Sequence, residues 1–227
     1  MRRFLIPSAL AAVAVAIGGL AASCGGSGAA GPTVRDGTQV SKLLAGIPQQ
    51  GTSLGSAQAP VTLVEFADLQ CPYCGDWARS ALPDIVRRYV RPGRVRIVFA
   101  GLDFVGPDSE KALRTALAAG RQNRFWNVLE LLYENQGTEN AGWVSDGLLR
   151  SIGQAVPGLD VGRMLDERGS AAVDSELNAG KALATSAGVS STPSFALGRR
   201  GGSLHVIQVT NLAAGGISPA LDAALAG

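Results

Sequence analysis

The sequence predicts an α/β fold in which a sheet core is interrupted by a block of helices. Three observations lead there. Residues 61–69 (VTLVEFADL) are apolar on both alternating faces, the pattern of a strand whose sheet is covered by helices on both sides. Residues 107–187 carry helical periodicity almost throughout. Strand patterns then return at 194–197 and 204–210, on either side of the turn-rich residues 198–203. The expected order is strand–helix–strand, a helical block, then strand–strand–helix.

The amino terminus reads as an address. Arg2 and Arg3 precede the uncharged stretch 9–22, which is shorter than the ~20 apolar residues a spanning helix needs. Small residues Ala21, Ala22 and Ser23 then lead into Cys24, so residues 1–23 are expected to form a signal peptide. Leu20-Ala21-Ala22-Ser23-Cys24 resembles the lipobox of bacterial lipoproteins, with the leucine one place further from the cysteine than usual. That resemblance implies lipidation of Cys24; the alternative is plain secretion with Cys24 as a spare thiol. Either way the mature chain works outside the cytoplasm, where disulfides persist. Residues 25–37 are small, polar and flexible in composition, so 24–50 is expected to be a tether and 51–227 the folded domain.

Further along, residues 73–90 should be helical, with Pro83 kinking or dividing the helix, and 94–100 should be a second strand. The helical block divides into 107–136 with a break near Gly120, then 144–155, 160–168 and 170–187. Asp108 and Ser109 are candidate caps for its first helix. Residues 219–225 should close the domain as a helix.

Composition excludes several function classes. The 227 residues are 46% hydrophobic and 17% charged, enough for one domain with a full core. The net charge of +2 sits entirely in Arg2 and Arg3; without them 18 acidic residues face an equal number of basic ones. That balance argues against a nucleic-acid partner, which needs clustered positive charge. With one histidine, His205, and three cysteines, a four-ligand zinc site would consume every candidate except carboxylates, and any histidine triad would pass through His205.

Cys71-Pro72-Tyr73-Cys74 carries the chemistry. Following a buried strand, it places Cys71 at a helix start, where free amide hydrogens and the dipole favour a thiolate. Cys74 lies one turn on, on the same side. Cys71 is expected to be exposed and attacking, Cys74 shielded and resolving. Half of a zinc site would need Cys24 and His205 to complete it, and a structural disulfide over so short a loop would stabilise little. A redox pair is the stronger reading. Glu65, on an apolar strand, should be desolvated with a raised pKa, unless Arg96 partners it across the sheet.

EFADLQCPYC, followed much later by GVSSTPSF, resembles the DsbA-like branch of the thioredoxin superfamily over roughly residue 51 to the carboxyl end. The resemblance implies a thioredoxin-like core with an inserted helical domain, here about 107–187. It implies that Thr192-Pro193 is a cis-proline pair facing Cys71 and Cys74 and holding substrate backbone. It implies that Pro72 and Tyr73 support the site, and that Glu65 is the acid beneath the redox pair, influencing proton transfer. Phe125-Trp126 resembles an aromatic pair of the insert, where core packing is its expected role; His205 is expected to have no catalytic part. Ser191 replaces a glycine common before Thr-Pro, and Tyr73 is not the histidine of the strongest oxidants. The implied function is an exported thiol–disulfide oxidoreductase, acting as a dithiol oxidase on reduced or misoxidised proteins. The alternatives are an isomerase or reductase, or a non-catalytic peptide-binding holdase. The implied redox partner is a quinone-linked membrane protein of the DsbB or vitamin K epoxide reductase kind, with no flavin or metal cofactor. The implied location is the outer face of a bacterial cytoplasmic membrane, by lipid anchor, or otherwise the periplasm or exterior.

Overall fold

The computed structural model describes Met1 and Gly31–Gly227. The expected signal peptide beyond Met1 and the lipidation site Cys24 lie outside the described residues. Among those residues no helix is long and apolar enough to cross a membrane.

The order begins with α1 (Gly37–Leu44), β1 (Gln49–Gln50) and β2 (Ser53–Leu54), followed by β3 (Val61–Asp68). Part of the expected tether is therefore folded: Val40, Leu44 and Ile47 are buried in the main core, which is why the chain orders before residue 51. The two short strands lack any apolar run, and periodicity could not have found them. After β3 come α2 (Pro72–Ser80) and α3 (Leu82–Ile85), then a π-helical turn at Val86–Val90, and β4 (Val95–Leu102). The single helix expected over 73–90 is divided because Pro83 falls in the first turn of α3, where its missing N–H is harmless.

The helical block comprises α4 (Pro107–Gly120), α5 (Phe125–Glu134), α6 (Asp146–Gln154), α7 (Val161–Asp166) and α8 (Ala171–Ala187). Ser145, Asp160 and Ser170 cap the last three through their side chains. α4 has no such cap: Gly106 takes that position, and Ser109 is turned inward to donate to Asp68 instead. The chain ends with β5 (Ser194–Arg199), β6 (His205–Ile207) and α9 (Ala214–Ala226). β6 is shorter than expected and α9 starts earlier, with Pro219 tolerated inside it.

The strands form one sheet in the order β1-β2-β4-β3-β5-β6. β3 runs parallel to β4 and antiparallel to β5, so it is central and buried on both faces. Leu63 and Ala67 join Cys74, Trp77 and Leu132 in the larger core on one side of the sheet. Val64 and Phe66 pack with Ala184 of α8 on the other. Gly180 lets α8 lie this close, since a Cβ there would stand 3.0 Å from the carbonyl of Gly101 on β4. Phe125 packs tilted and Trp126 edge-on against Phe99 in the core, and the Trp126 indole donates to the Thr52 carbonyl at 3.1 Å.

Candidate active site

Cys71 caps α2 from an extended backbone conformation, and Pro72 occupies the first turn. This arrangement leaves the early amides of α2 free to face the Cys71 sulfur. Both cysteines are thiols here. The Cys71 pKa is lowered to about 6: a hydrogen bond from the Cys74 thiol contributes most, burial opposes it, and the Thr192 side chain and the Cys74 and Tyr73 amides assist. Cys71 Sγ also lies 3.5 Å from the Thr192 carbonyl, a contact that favours the thiol and works against ionisation. Cys74 behaves oppositely. Burial, then its bond to Cys71, push its thiol well above the ordinary range.

The sequence predicts a Cys71 open to solvent, and it is instead largely covered. It is 6% exposed against 0% for Cys74, because the residues before β5 lie over it. The Thr192–Pro193 peptide bond is cis. The exposed group beside the pair is Tyr73, at 62%. Trp77 of α2 is buried against Phe195 of β5, with ring centroids 5.1 Å apart, joining the two segments that carry Cys71 and Pro193.

Glu65 is buried in β3, opposite Phe99 and Phe195. Its Oε1 has no hydrogen-bond partner, and burial pushes its pKa well up. Arg96 is not its partner: Arg96 pairs with Thr62 in the sheet register and donates to the Thr62 hydroxyl at 3.4 Å. His205 is exposed on β6, opposite Leu197.

The loop between β3 and α2 is held by residues distant in sequence. Asp68 accepts from the Gln70 amide at 2.8 Å, the Ser109 hydroxyl at 2.6 Å and the Val105 amide at 2.9 Å. Gln70 in turn donates to Ser109 and accepts from the Asn140 amide at 2.7 Å. Gln136, just beyond α5, donates to the carbonyls of Leu69 at 2.9 Å and Cys71 at 3.0 Å. Sequence reasoning missed this clamp. Its one signal was Asp68 and Gln70, polar groups at the end of an apolar strand and directly before the cysteine pair.

Residues 49–203 match the family model described as Thioredoxin. The chain belongs to the thioredoxin family. Within that family it is 35% identical over 112 residues to the probable disulfide bond formation protein D of Bacillus cereus, covering 48% of this chain and 52% of that one. The chain thus spans about half the length of the curated relatives it matches. Among solved structures it is similar to oxidised BdbD from Bacillus subtilis, with TM-score 0.68 and 24% identity over 80% of this chain and 98% of that one. It is also similar to DsbA2 of Pseudomonas aeruginosa, with TM-score 0.60 and 21% identity over 78% of this chain and 95% of that one. In chain order α4–α8 lie between β4 and the returning strands β5 and β6. In this thioredoxin-family chain Cys71, Cys74, Thr192 and Glu65 converge from β3, α2 and the segment before β5. Cys24 lies outside the described residues, and His205 stands at the sheet's edge strand.

Proposed function

We propose that this protein is an exported thiol–disulfide oxidoreductase that works as a dithiol oxidase. The observation that carries the reading is the opposed state of two neighbouring thiols, Cys71 held at about 6 and Cys74 pushed up by burial. A stabilised Cys71 thiolate is a good leaving group, which makes the Cys71–Cys74 disulfide a good oxidant.

A substrate thiolate attacks Cys71 Sγ; its electron pair forms the mixed disulfide while the pair of the old S–S bond leaves on Cys74. A second substrate thiolate then attacks the substrate sulfur, and Cys71 departs as thiolate. The substrate loses two electrons and gains a disulfide; Cys71 and Cys74 gain them. Thr192 and Pro193 are proposed to align substrate backbone over the pair. Tyr73, the exposed aromatic beside Cys71, offers it an apolar contact. Pro72 sets the start of α2, and Glu65 manages the proton of Cys74. Reoxidation calls for a membrane partner of the DsbB or vitamin K epoxide reductase kind. The likeness to the probable disulfide bond formation protein D of Bacillus cereus supports disulfide formation as the direction. Lipidation of Cys24 at the outer face of the cytoplasmic membrane completes the proposal, resting on the sequence of residues 20–24.

Two measurements test it. A Cys74→Ala variant should accumulate mixed disulfides through Cys71 in living cells, and their absence overturns the reading. A reduction potential near about −120 mV is the oxidase result, and one near about −270 mV makes the protein a reductase.

A further inference from the structure

The balance of charge over the whole chain conceals a local excess. Arg87, Arg88, Arg91, Arg94 and Arg96 fall within ten residues that contain no acid, and Arg200 directly follows Arg199 at the end of β5. The sheet brings these two groups together. Val61, which begins β3, lies between Val95 and Arg199, and Thr62 lies opposite Arg96. The Arg200 amide donates to the Pro60 carbonyl at 2.8 Å. Just before β4, the guanidinium groups of Arg88 and Arg94 stand 5.1 and 5.6 Å from the centre of the Tyr89 ring.

Arg79, Arg114, Arg121, Arg163 and Arg168 each pair with a carboxylate. At the start of β3 the pattern is different. Arg87 pairs with Asp84, Arg91 donates to the carbonyls of Leu43 and Ala45 that end α1, and Asp222 accepts from the Tyr89 hydroxyl. Arg96, Arg199 and Arg200 meet only neutral acceptors among the described residues. They donate to the Thr62 hydroxyl at 3.4 Å, the Ala224 carbonyl at 3.2 Å and Gln58 Oε1 at 2.5 Å. Each guanidinium keeps donors to spare. The three line one cavity of about 230 Å³, together with Thr62, Gly201 and Leu204, and no helix contributes to its walls.

Beside these charges lie bare aliphatic groups. Leu204 and Val206 are 39% and 44% exposed, on the hairpin that ends in the edge strand β6. Leu204 lies over Gly198, where a Cβ would stand 3.1 Å from its Cδ2. Val206 pairs with Ala196, so by alternation it shares that sheet face with Leu204. Unpaired arginines suit phosphate, which their planar forks grip through two hydrogen bonds. A dissolved anion would leave Leu204 and Val206 in water. A bilayer surface offers phosphate and, just beneath it, hydrocarbon.

We propose that the β5–β6 hairpin and the adjoining arginine cavity are a contact surface for an anionic phospholipid bilayer. A headgroup phosphate enters among Arg96, Arg199 and Arg200 while Leu204 and Val206 dip into the layer below. The inference goes beyond the oxidoreductase reading and does not depend on it. Its consequence is an orientation. The eight residues of β3 span roughly 25 Å, and Cys71 follows their far end, so the bound protein holds its redox pair outward from the headgroups.

The test floats the full chain with vesicles of phosphatidylglycerol and phosphatidylcholine in equal parts, and with vesicles of phosphatidylcholine alone. At about fivefold for each arginine near the surface, Arg199→Gln combined with Arg200→Gln should lower partitioning onto the anionic vesicles about 25-fold. Arg150→Gln combined with Arg163→Gln removes the same charge from α6 and α7 and should change it by less than about threefold, as expected of charges far from the contact. The amino-terminal segment is common to all these chains and cancels. Dithiothreitol should reduce the Cys71–Cys74 disulfide of both variants at the wild-type rate, which shows that they are folded. In the wild type, hydrogen exchange of the amides of residues 200–207 should slow with anionic vesicles and not with neutral ones. An unprotected hairpin overturns the proposal even if a variant does not fold. Equal losses in the two double variants overturn it too, and so does tighter binding of a single-stranded oligonucleotide through Arg199 and Arg200. None of these readings involves a protein thiol, so they fail separately from the oxidoreductase reading, which falls when Cys74→Ala traps nothing.

Discussion

The Sγ of Cys71 meets the carbonyl of Thr192 at 3.5 Å, across 121 positions of chain. The Cys71 sulfur is therefore gripped from two sides, by the start of α2 beneath and by the segment entering β5 above. Ionisation costs the sulfur this one contact, and the Cys74 thiol more than repays it.

Alkylation of Cys71 in the reduced protein should follow a midpoint near pH 6. Cys74→Ala should move that midpoint upward, because it removes the largest stabiliser of the thiolate. The folded value lies below the ordinary thiol value of roughly 8.5, so its stabilisation of the reduced form is complete above that value and is lost as pH falls through about 6. Melting temperatures of the reduced protein should decline relative to the disulfide form across that window. An alkylation midpoint unchanged from a free thiol would refute the assignment.

Glu65→Gln should make folding less pH-dependent. The buried carboxyl of Glu65 titrates well above its ordinary range, so the folded state keeps a proton that the unfolded chain releases near roughly pH 4.3. Stability then falls as pH rises from there to the raised folded value. The variant removes that slope. Its gain at higher pH should be about 1.4 kcal/mol for every pH unit that separates the folded and unfolded midpoints of the carboxyl. Urea unfolding at a series of pH values measures it; parallel curves for variant and wild type would contradict it.

Gln136→Ala strips donors from the carbonyls of Leu69 and Cys71. The loss should be about 1–3 kcal/mol, at roughly 0.5–1.5 kcal/mol for each bond. Disulfide exchange should slow as well, since the loop that aims Cys71 is loosened. A variant as stable and as fast as wild type would show that the clamp does not position the pair.

The cysteine pair and central strand were legible because their signals are local: a both-faced apolar run, then Cys-Pro-Tyr-Cys at a helix start. Gln136 and Asn140 were not, because what matters in them is a bond to a loop some 65–70 positions earlier, and no periodicity records such a bond. The burial of Glu130 was hidden for another reason. Within FWNVLELLYE its charge reads as the solvent side of an amphipathic helix, yet α5 is buried nearly all round. The covering of Cys71 was equally invisible, since it depends on where the segment before β5 comes to rest.

Gly180→Ala should destabilise the fold by about 1–3 kcal/mol, because the added methyl meets the Gly101 carbonyl at 3.0 Å and α8 must move outward. Cys71 reactivity should be unchanged, as α8 covers the opposite face of the sheet. Calorimetry beside the alkylation profile separates the two effects, and a neutral melting temperature would mean that the helix gives way freely.

The groups that fix the redox loop, Ser109, Tyr133, Gln136 and Asn140, and the Thr192 that covers it all come later in the chain than Cys71 and Cys74. A polypeptide emerging amino end first presents its two sulfurs long before any of these arrives. Until then the pair lacks the contacts that hold its loop and cover Cys71. On the proposed function, competence to donate a disulfide therefore waits for these later segments.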